Sequence, residues 1–278
     1  MPCSCVGLLS VLGAAVAVVL SAFAAGLPLW SLLAYSNNGQ MTTATFTAGV
    51  WGYCTDVSFV QAGTNDYSSP TTKSSGQCYL YYSGNRNAHI VLNDSQGNST
   101  IVQPTDGVCK MFNEDGGSSK RLMATVKDID QTSFDTFLTN TCGAKGKVSL
   151  SFAMLSPIFG AFAFCILTAA VCCAKYQSCL VAFSAWMTVL STICSIISFV
   201  VWNSQTPTGN GIMYGASYYM EIAATVCYSI SCFFAVIHMQ HGRKNNSQTH
   251  NSRATISLQA ALEKQKKISL SPIPTRLV

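Results

Sequence analysis

Four kinds of side chain in this 278-residue sequence could do covalent or acid–base chemistry. The first is cysteine, present thirteen times and sorted sharply by position. Cys54, Cys78, Cys109 and Cys142 lie in one long polar stretch. Four cysteines allow three disulfide pairings, and nearness in sequence favours Cys54–Cys78 with Cys109–Cys142. The second kind is the N-glycosylation triplet, at Asn93-Asp94-Ser95 and Asn98-Ser99-Thr100 in the same stretch. Such acceptors are used only on the lumenal or extracellular side, where disulfides also persist. A second cysteine group, Cys3, Cys5, Cys172, Cys173 and Cys179, sits at the ends of apolar runs, where S-palmitoylation occurs. An equally weighted reading makes these small reduced residues at helix ends.

The third kind is Glu221, the one acid inside an apolar run, and an acid in that setting is a functional candidate by default. It falls about one turn from the outer boundary, where it is expected to reach water or the sheet, and a structural hydrogen-bonding role outweighs an ion-path or partner role. The fourth is histidine. His89 stands alone on a polar loop and His238 at an inner boundary, with no C-x-x-C pair to make a metal set. Catalysis in a membrane needs clustered acids, histidines or nucleophile pairs. The expectation is therefore no enzyme, no cofactor, no metal and no nucleic-acid partner.

These groups must be positioned by a membrane fold. Charged residues make up 10% of the chain, hydrophobic ones 49%, and mean hydropathy is +0.31. A soluble domain carries about 25% charged residues. Four runs are long enough to cross a bilayer as helices, approximately Val6 to Leu33, Val148 to Cys173, Cys179 to Trp202, and Ala216 to His238. The first lacks a preceding Lys or Arg and exceeds a usual signal-peptide core, which favours a retained helix. Gly13, Ala17, Ser21 and Ala25 form a small-residue face on it, better read as packing within the chain's own bundle than as a dimer seam. Pro28 is expected to bend its outer end, with Trp30 and Tyr35 in the interfacial aromatic belt.

The division follows: 1–35, first transmembrane helix with a short cytosolic N-terminus; 36–147, large extracellular loop; 148–239, helices two to four; 240–278, basic cytosolic tail. Strand-like runs occur at Thr42 to Cys54, Cys78 to Tyr82 and Ala88 to Asn93. Leu122 to Leu138 carries a weak helical pattern, and Gly116 to Ser119 reads as a turn. The tail holds seven cations against one acid, so by the positive-inside rule both ends face the cytosol, with the tail drawn to anionic lipid.

Trp30, then Gly49-Val50-Trp51-x-x-Cys54, then a further cysteine, resembles the signature of the claudin superfamily. The form Gly-Val-Trp-Gly-Tyr-Cys is most similar to the fungal PalI and eisosome-type branch. The resemblance implies a left-handed four-helix transmembrane bundle with an extracellular antiparallel β-sheet pinned by Cys54 and Cys78. In it the tryptophans, Trp30 and Trp51, would anchor the sheet at the bilayer edge, and Gly49 and Cys54 are the other positions that match the motif. The chain departs from the family in the wide Cys54 to Cys78 spacing, the extra cysteine pair and the long first loop. The leading expectation is a non-enzymatic, multi-pass plasma-membrane protein that organises assemblies or cell contacts through its outer loop, with copies of itself or other membrane proteins as partners. A channel or paracellular barrier component and a sensor subunit are the alternatives.

Overall fold

The computed structural model describes residues 5–37, 40–58, 76–85, 88, 90–93, 99–102, 106–126, 129–172, 177–206, 212–240 and 259. In chain order the elements are α1 (Cys5–Gly26), β1 (Ser31–Asn37), β2 (Gln40–Ala48), β3 (Gly52–Ser58), β4 (Gln77–Leu80), β5 (Ile90–Asn93) and β6 (Ser99–Val102). Then come α2 (Val108–Glu114), a 3-10 turn (Leu122–Thr125), α3 (Gln131–Cys142), α4 (Ala144–Cys172), α5 (Gln177–Gln205), β7 (Ile212–Tyr214) and α6 (Ala216–Gln240). Helices α1, α4, α5 and α6 are each long and apolar enough to span a bilayer, which makes the chain a multi-pass integral membrane protein.

α1 stops at Gly26, well short of Leu33. Leu27 precedes Pro28, and the proline ring pushes the residue before it out of the helical region. The chain re-emerges as β1, so residues read as helix belong to a sheet. Likewise the run Thr42 to Cys54 is two strands, not one. It breaks at Gly49–Trp51, where the Gly49 N–H donates to Gly52 O at 2.8 Å and closes the β2–β3 hairpin. All pairings are antiparallel, in the order β4-β3-β2-β1-β7. The last strand comes from the short loop between α5 and α6, so both connecting loops contribute to one sheet. β5 and β6 form a separate hairpin. α3 begins at Gln131 because Asp130 caps it, accepting from Ser133 N at 2.9 Å.

α3 lies on the sheet. Phe134 and Phe137 meet Phe46 edge-on at 6.2 and 6.0 Å, and Tyr53 stacks on Tyr79 at 5.1 Å. The contact path continues from Phe137 to Trp202 and from Trp202 to Trp30, at 6.4 and 5.5 Å. One hydrophobic core therefore runs from the sheet into the top of the bundle, taking in Ala24, Ala25 and Ala153.

Within the bundle the buried faces are small and hydroxylic. Ser149, Ser156 and Ala163 on α4 face Ser198, Ser191 and Ser184 on α5, a seven-residue spacing on both helices. Ser149 and Ser198 bond each other's carbonyl at 3.4 and 3.3 Å, Ser156 donates to Ser191 O at 3.3 Å, and Ser184 to Ala163 O at 2.9 Å. A repeat of seven is the left-handed packing period. Ser10 on α1 and Ser231 on α6 make the same reciprocal exchange at 2.8 and 2.7 Å. Ala17, Ser21 and Ala25 are buried, so the small-residue face of α1 is occupied inside the chain's own bundle. The large apolar side chains point outward: Leu12, Val16 and Phe23 on α1, Phe162 on α4, Trp186 on α5, Phe233 on α6. With lipid as solvent this inversion is expected, since only small residues let helix backbones approach and exchange hydrogen bonds.

Candidate functional site

The motif residues converge where α1 ends. The last turn of any helix leaves carbonyl oxygens without intrahelical partners. Here two tryptophans supply the donors: Trp30 Nε1 bonds Ala24 O at 2.7 Å and Trp51 Nε1 bonds Gly26 O at 3.0 Å. Gly49 lies between them with its Cα against the turn. A Cβ there would sit 2.6 Å from Pro28 Cα, so any larger residue would lift the β2–β3 hairpin off the helix. The Trp30 backbone is held on both sides, its N–H donating to Ala48 O and its carbonyl accepting from Gly215 N, each at 2.9 Å. Ser217 at the start of α6 donates from its backbone to Leu29 O at 2.9 Å. Trp202, near the end of α5, donates to Ser31 Oγ at 3.0 Å. Three spanning helices and the sheet are thus tied together through Leu29, Trp30 and Ser31.

This placement corrects one expectation. Trp30 is 0% exposed, enclosed by Trp202 and Tyr218, and is an internal pin rather than an aromatic-belt residue. Trp51, at the hairpin tip, is only half-buried. Tyr35 lies on β1, paired with Thr43 in the ladder.

Cys54 and Cys78 face each other across β3 and β4, Cα atoms 4.0 Å apart, and are disulfide-bonded. Cys109 on α2 and Cys142 at the end of α3 form the second bridge, Cα atoms 5.2 Å apart. One bridge fixes the edge of the sheet and the other fixes the helical layer directly above α4. Around the first bridge the phenols are held neutral by burial. Tyr53 and Tyr81 are pushed well above the ordinary phenol range, and Tyr79 up to about 12. Tyr82 is likewise pushed up to about 12 by burial and donates to Thr141 O at 2.6 Å.

Glu221 lies five residues into α6 and is 0% exposed. It reaches neither water nor the sheet. Ser21 of α1 donates to its Oε1 at 3.3 Å and lies 3.1 Å from Ser156 Oγ of α4. Ser195 of α5 donates to the Glu221 backbone carbonyl at 3.2 Å. All four spanning helices meet at this residue, and its Oε2 has no hydrogen-bond partner among the described residues. The expectation of a snorkelling acid fails because α1, α4 and α5 close around the carboxyl and leave it no exposed surface.

Cys5, Cys172 and Cys179 are free and exposed at the end of the bundle remote from the sheet. Cys3 and Cys173 lie outside the described residues. Asn93 ends β5 opposite Ser99, while Asn98, His89 and the basic tail apart from residue 259 also fall outside them. Among the described residues no three His, Cys, Asp or Glu side chains gather as a metal set. Three structural participants carry weak sequence signals. β7 is a three-residue strand, too short to declare itself; the Ser31–Trp202 bond links residues far apart in sequence; and the serine ladder, which was not read from the sequence, has only a period of seven as its signal. Compared with models of known protein families and with curated proteins, the chain matches none.

Proposed function

We propose that this chain is a non-enzymatic organiser of plasma-membrane assemblies, with the sheet outside the cell, both termini cytosolic, and a claudin-like plan. The observation that carries the reading is the shared core: the sheet is bolted to three of the four spanning helices through Leu29–Ser31 and Trp202. A sheet held this way is a rigid platform presented at a fixed height and orientation, suited to contact rather than turnover. The sheet carries an exposed apolar side chain on its edge strand β7, Met213 (46% exposed), and the separate β5–β6 hairpin carries another, Ile101 (66% exposed). The small-residue helix faces are already occupied internally, so assembly runs through the sheet side rather than through a helix seam. The convergence of Trp30, Gly49 and Trp51 on one junction, with Cys54 bridged to Cys78 on the strand that follows, supports the claudin-like part of the reading.

The test is assembly size in native membranes, followed by cross-linking and blue-native electrophoresis. Met213→Glu and Ile101→Glu, both at exposed positions, should fragment the assemblies while the monomer stays folded. Unchanged assemblies in the double variant would remove the reading. A channel role is favoured by one observation, the unpartnered Oε2 of Glu221 inside the bundle. Conductance in reconstituted bilayers that disappears in Glu221→Gln would install that role in place of the first.

A further inference from the structure

We propose that the chain holds one zwitterionic phospholipid, its head group in a cleft beside the sheet domain and its acyl chains along α4. The cleft measures about 450 Å3 and is lined by Tyr82, Asp106, Lys110, Glu114, Lys147 and the Cys109–Cys142 bridge, among others. That volume is in the range of small-molecule sites, roughly 300–1,000 Å3. Its height is set by the helices. Lys145 Nζ donates to Ser204 O at 3.4 Å, which puts the first turn of α4 level with the last turn of α5, and Lys147 projects from that same turn. Val148 follows and begins the apolar run. Head groups occupy this level in a bilayer whose core is crossed by the helices below.

The charges in the cleft fit a zwitterion. Asp106 and Lys110 neutralise each other at 2.5 Å. That leaves Lys147 and Glu114; Glu114 feels the charges of Lys110 and Arg121, but neither it nor Lys147 makes an ion pair among the described residues. One unpaired cation and one unpaired anion match a phosphate and an ammonium on the same ligand. Lys147 takes the phosphate oxygens, and Glu114 with the half-exposed ring of Tyr82 takes the ammonium. The tail has its own track. Lys147, Ser151, Met154, Ile158 and Phe162 recur at helical spacing, and all five are exposed, so a chain descending from the cleft lies on Met154, Ile158 and Phe162. Both anchors are surface side chains, and their loss leaves the two disulfides and the core untouched.

The experiment is native mass spectrometry of the full chain released from micelles containing one lipid at a time. Four are compared: dioleoylphosphatidylcholine, dioleoylphosphatidylglycerol, dioleoylglycerol, and soluble phosphocholine without a tail. Phosphatidylcholine should be retained one per chain, with dioleoylglycerol and free phosphocholine not retained. Lys147→Ala should lower retention by about tenfold, the scale of one hydrogen bond to a charged group. Glu114→Ala should abolish the preference for phosphatidylcholine over phosphatidylglycerol, and Lys120→Ala, off the cleft, should change neither. Equal retention of the two phospholipids by the unaltered chain overturns the proposal, as does undiminished retention in a Lys147→Ala/Glu114→Ala double variant that keeps both disulfides.

Discussion

If the two motif tryptophans cap α1 from different environments, replacing each with phenylalanine should separate their roles. Phenylalanine keeps the ring contacts and deletes only the indole N–H and the second ring. At Trp30 the carbonyl left behind, Ala24 O, is enclosed by a core in which Trp30 itself is 0% exposed, and no water replaces the donor. An orphaned buried acceptor costs about 1–3 kcal/mol, and the lost ring atoms add about 1 kcal/mol of cavity. Trp30→Phe should therefore destabilise by about 2–4 kcal/mol. At Trp51 the bond to Gly26 O lies at the surface, where solvent or a head group can take over, and the cost falls to about 0.5–1 kcal/mol. Trp202→Phe ranks between them, because Ser31 Oγ keeps Thr206 Oγ1 nearby at 3.4 Å. The assay is reversible denaturant titration in mixed micelles, followed by near-ultraviolet circular dichroism. The predicted gap of about 2 kcal/mol between the Trp30 and Trp51 variants is more than a tenfold change in the folding equilibrium, well within reach. A Trp51 variant as costly as the Trp30 variant would refute the assignment of Trp30 as the internal pin.

Three further outcomes follow from the same geometry. Gly160 packs against the Tyr228 ring, so Gly160→Leu should part α4 from α6 and Gly160→Ala should cost about 1–3 kcal/mol in the same titration; an alanine variant of unaltered stability would contradict that packing. Glu221→Gln keeps an acceptor for Ser21 while removing the buried carboxyl, and should stay within about 1 kcal/mol of the unaltered chain, whereas the shorter Glu221→Asp loses the Ser21 bond and should cost about 1–3 kcal/mol; a reversal of that order would show that the charge itself is needed for folding. Tyr79 is raised from 10.0 to about 12 by burial, so the fold favours its protonated form. The stability this contributes is complete below pH 10 and drains as the pH climbs toward 12, a loss that tyrosinate absorbance recorded beside circular dichroism should show and that Tyr79→Phe should lessen; an intact fold with fully ionised tyrosines would exclude the buried placement.

How much of this could be read beforehand depended on whether the deciding force was local. The four spans were legible because bilayer thickness acts on each segment separately; α4 begins at Ala144 rather than Val148 and α5 runs to Gln205 rather than Trp202, and the largest error was at the end of α1. Pro28 ended α1 early, and the residues after it, apolar enough to pass for helix, were taken into a sheet by Ala48 on one side and Gly215 on the other. β7 could not be read at all, since three residues make a strand only when β1 offers its edge. The motif residues were legible as types, but the environment of Trp30 was not. Tryptophan near a membrane boundary normally implies an interfacial belt, and nothing local distinguishes that from an indole turned inward to satisfy a helix carbonyl. The difference lies in Trp202 and Tyr218, contributed by helices far along the chain. Glu221 shows the same logic in reverse. Its distance from the helix end suggested access to water, but burial of an acid depends on what packs around it, and Ser21, Ser156 and Ser195 are contributed by three other helices. A site assembled from four helices is therefore a property of the tertiary packing, which no single segment of the sequence displays.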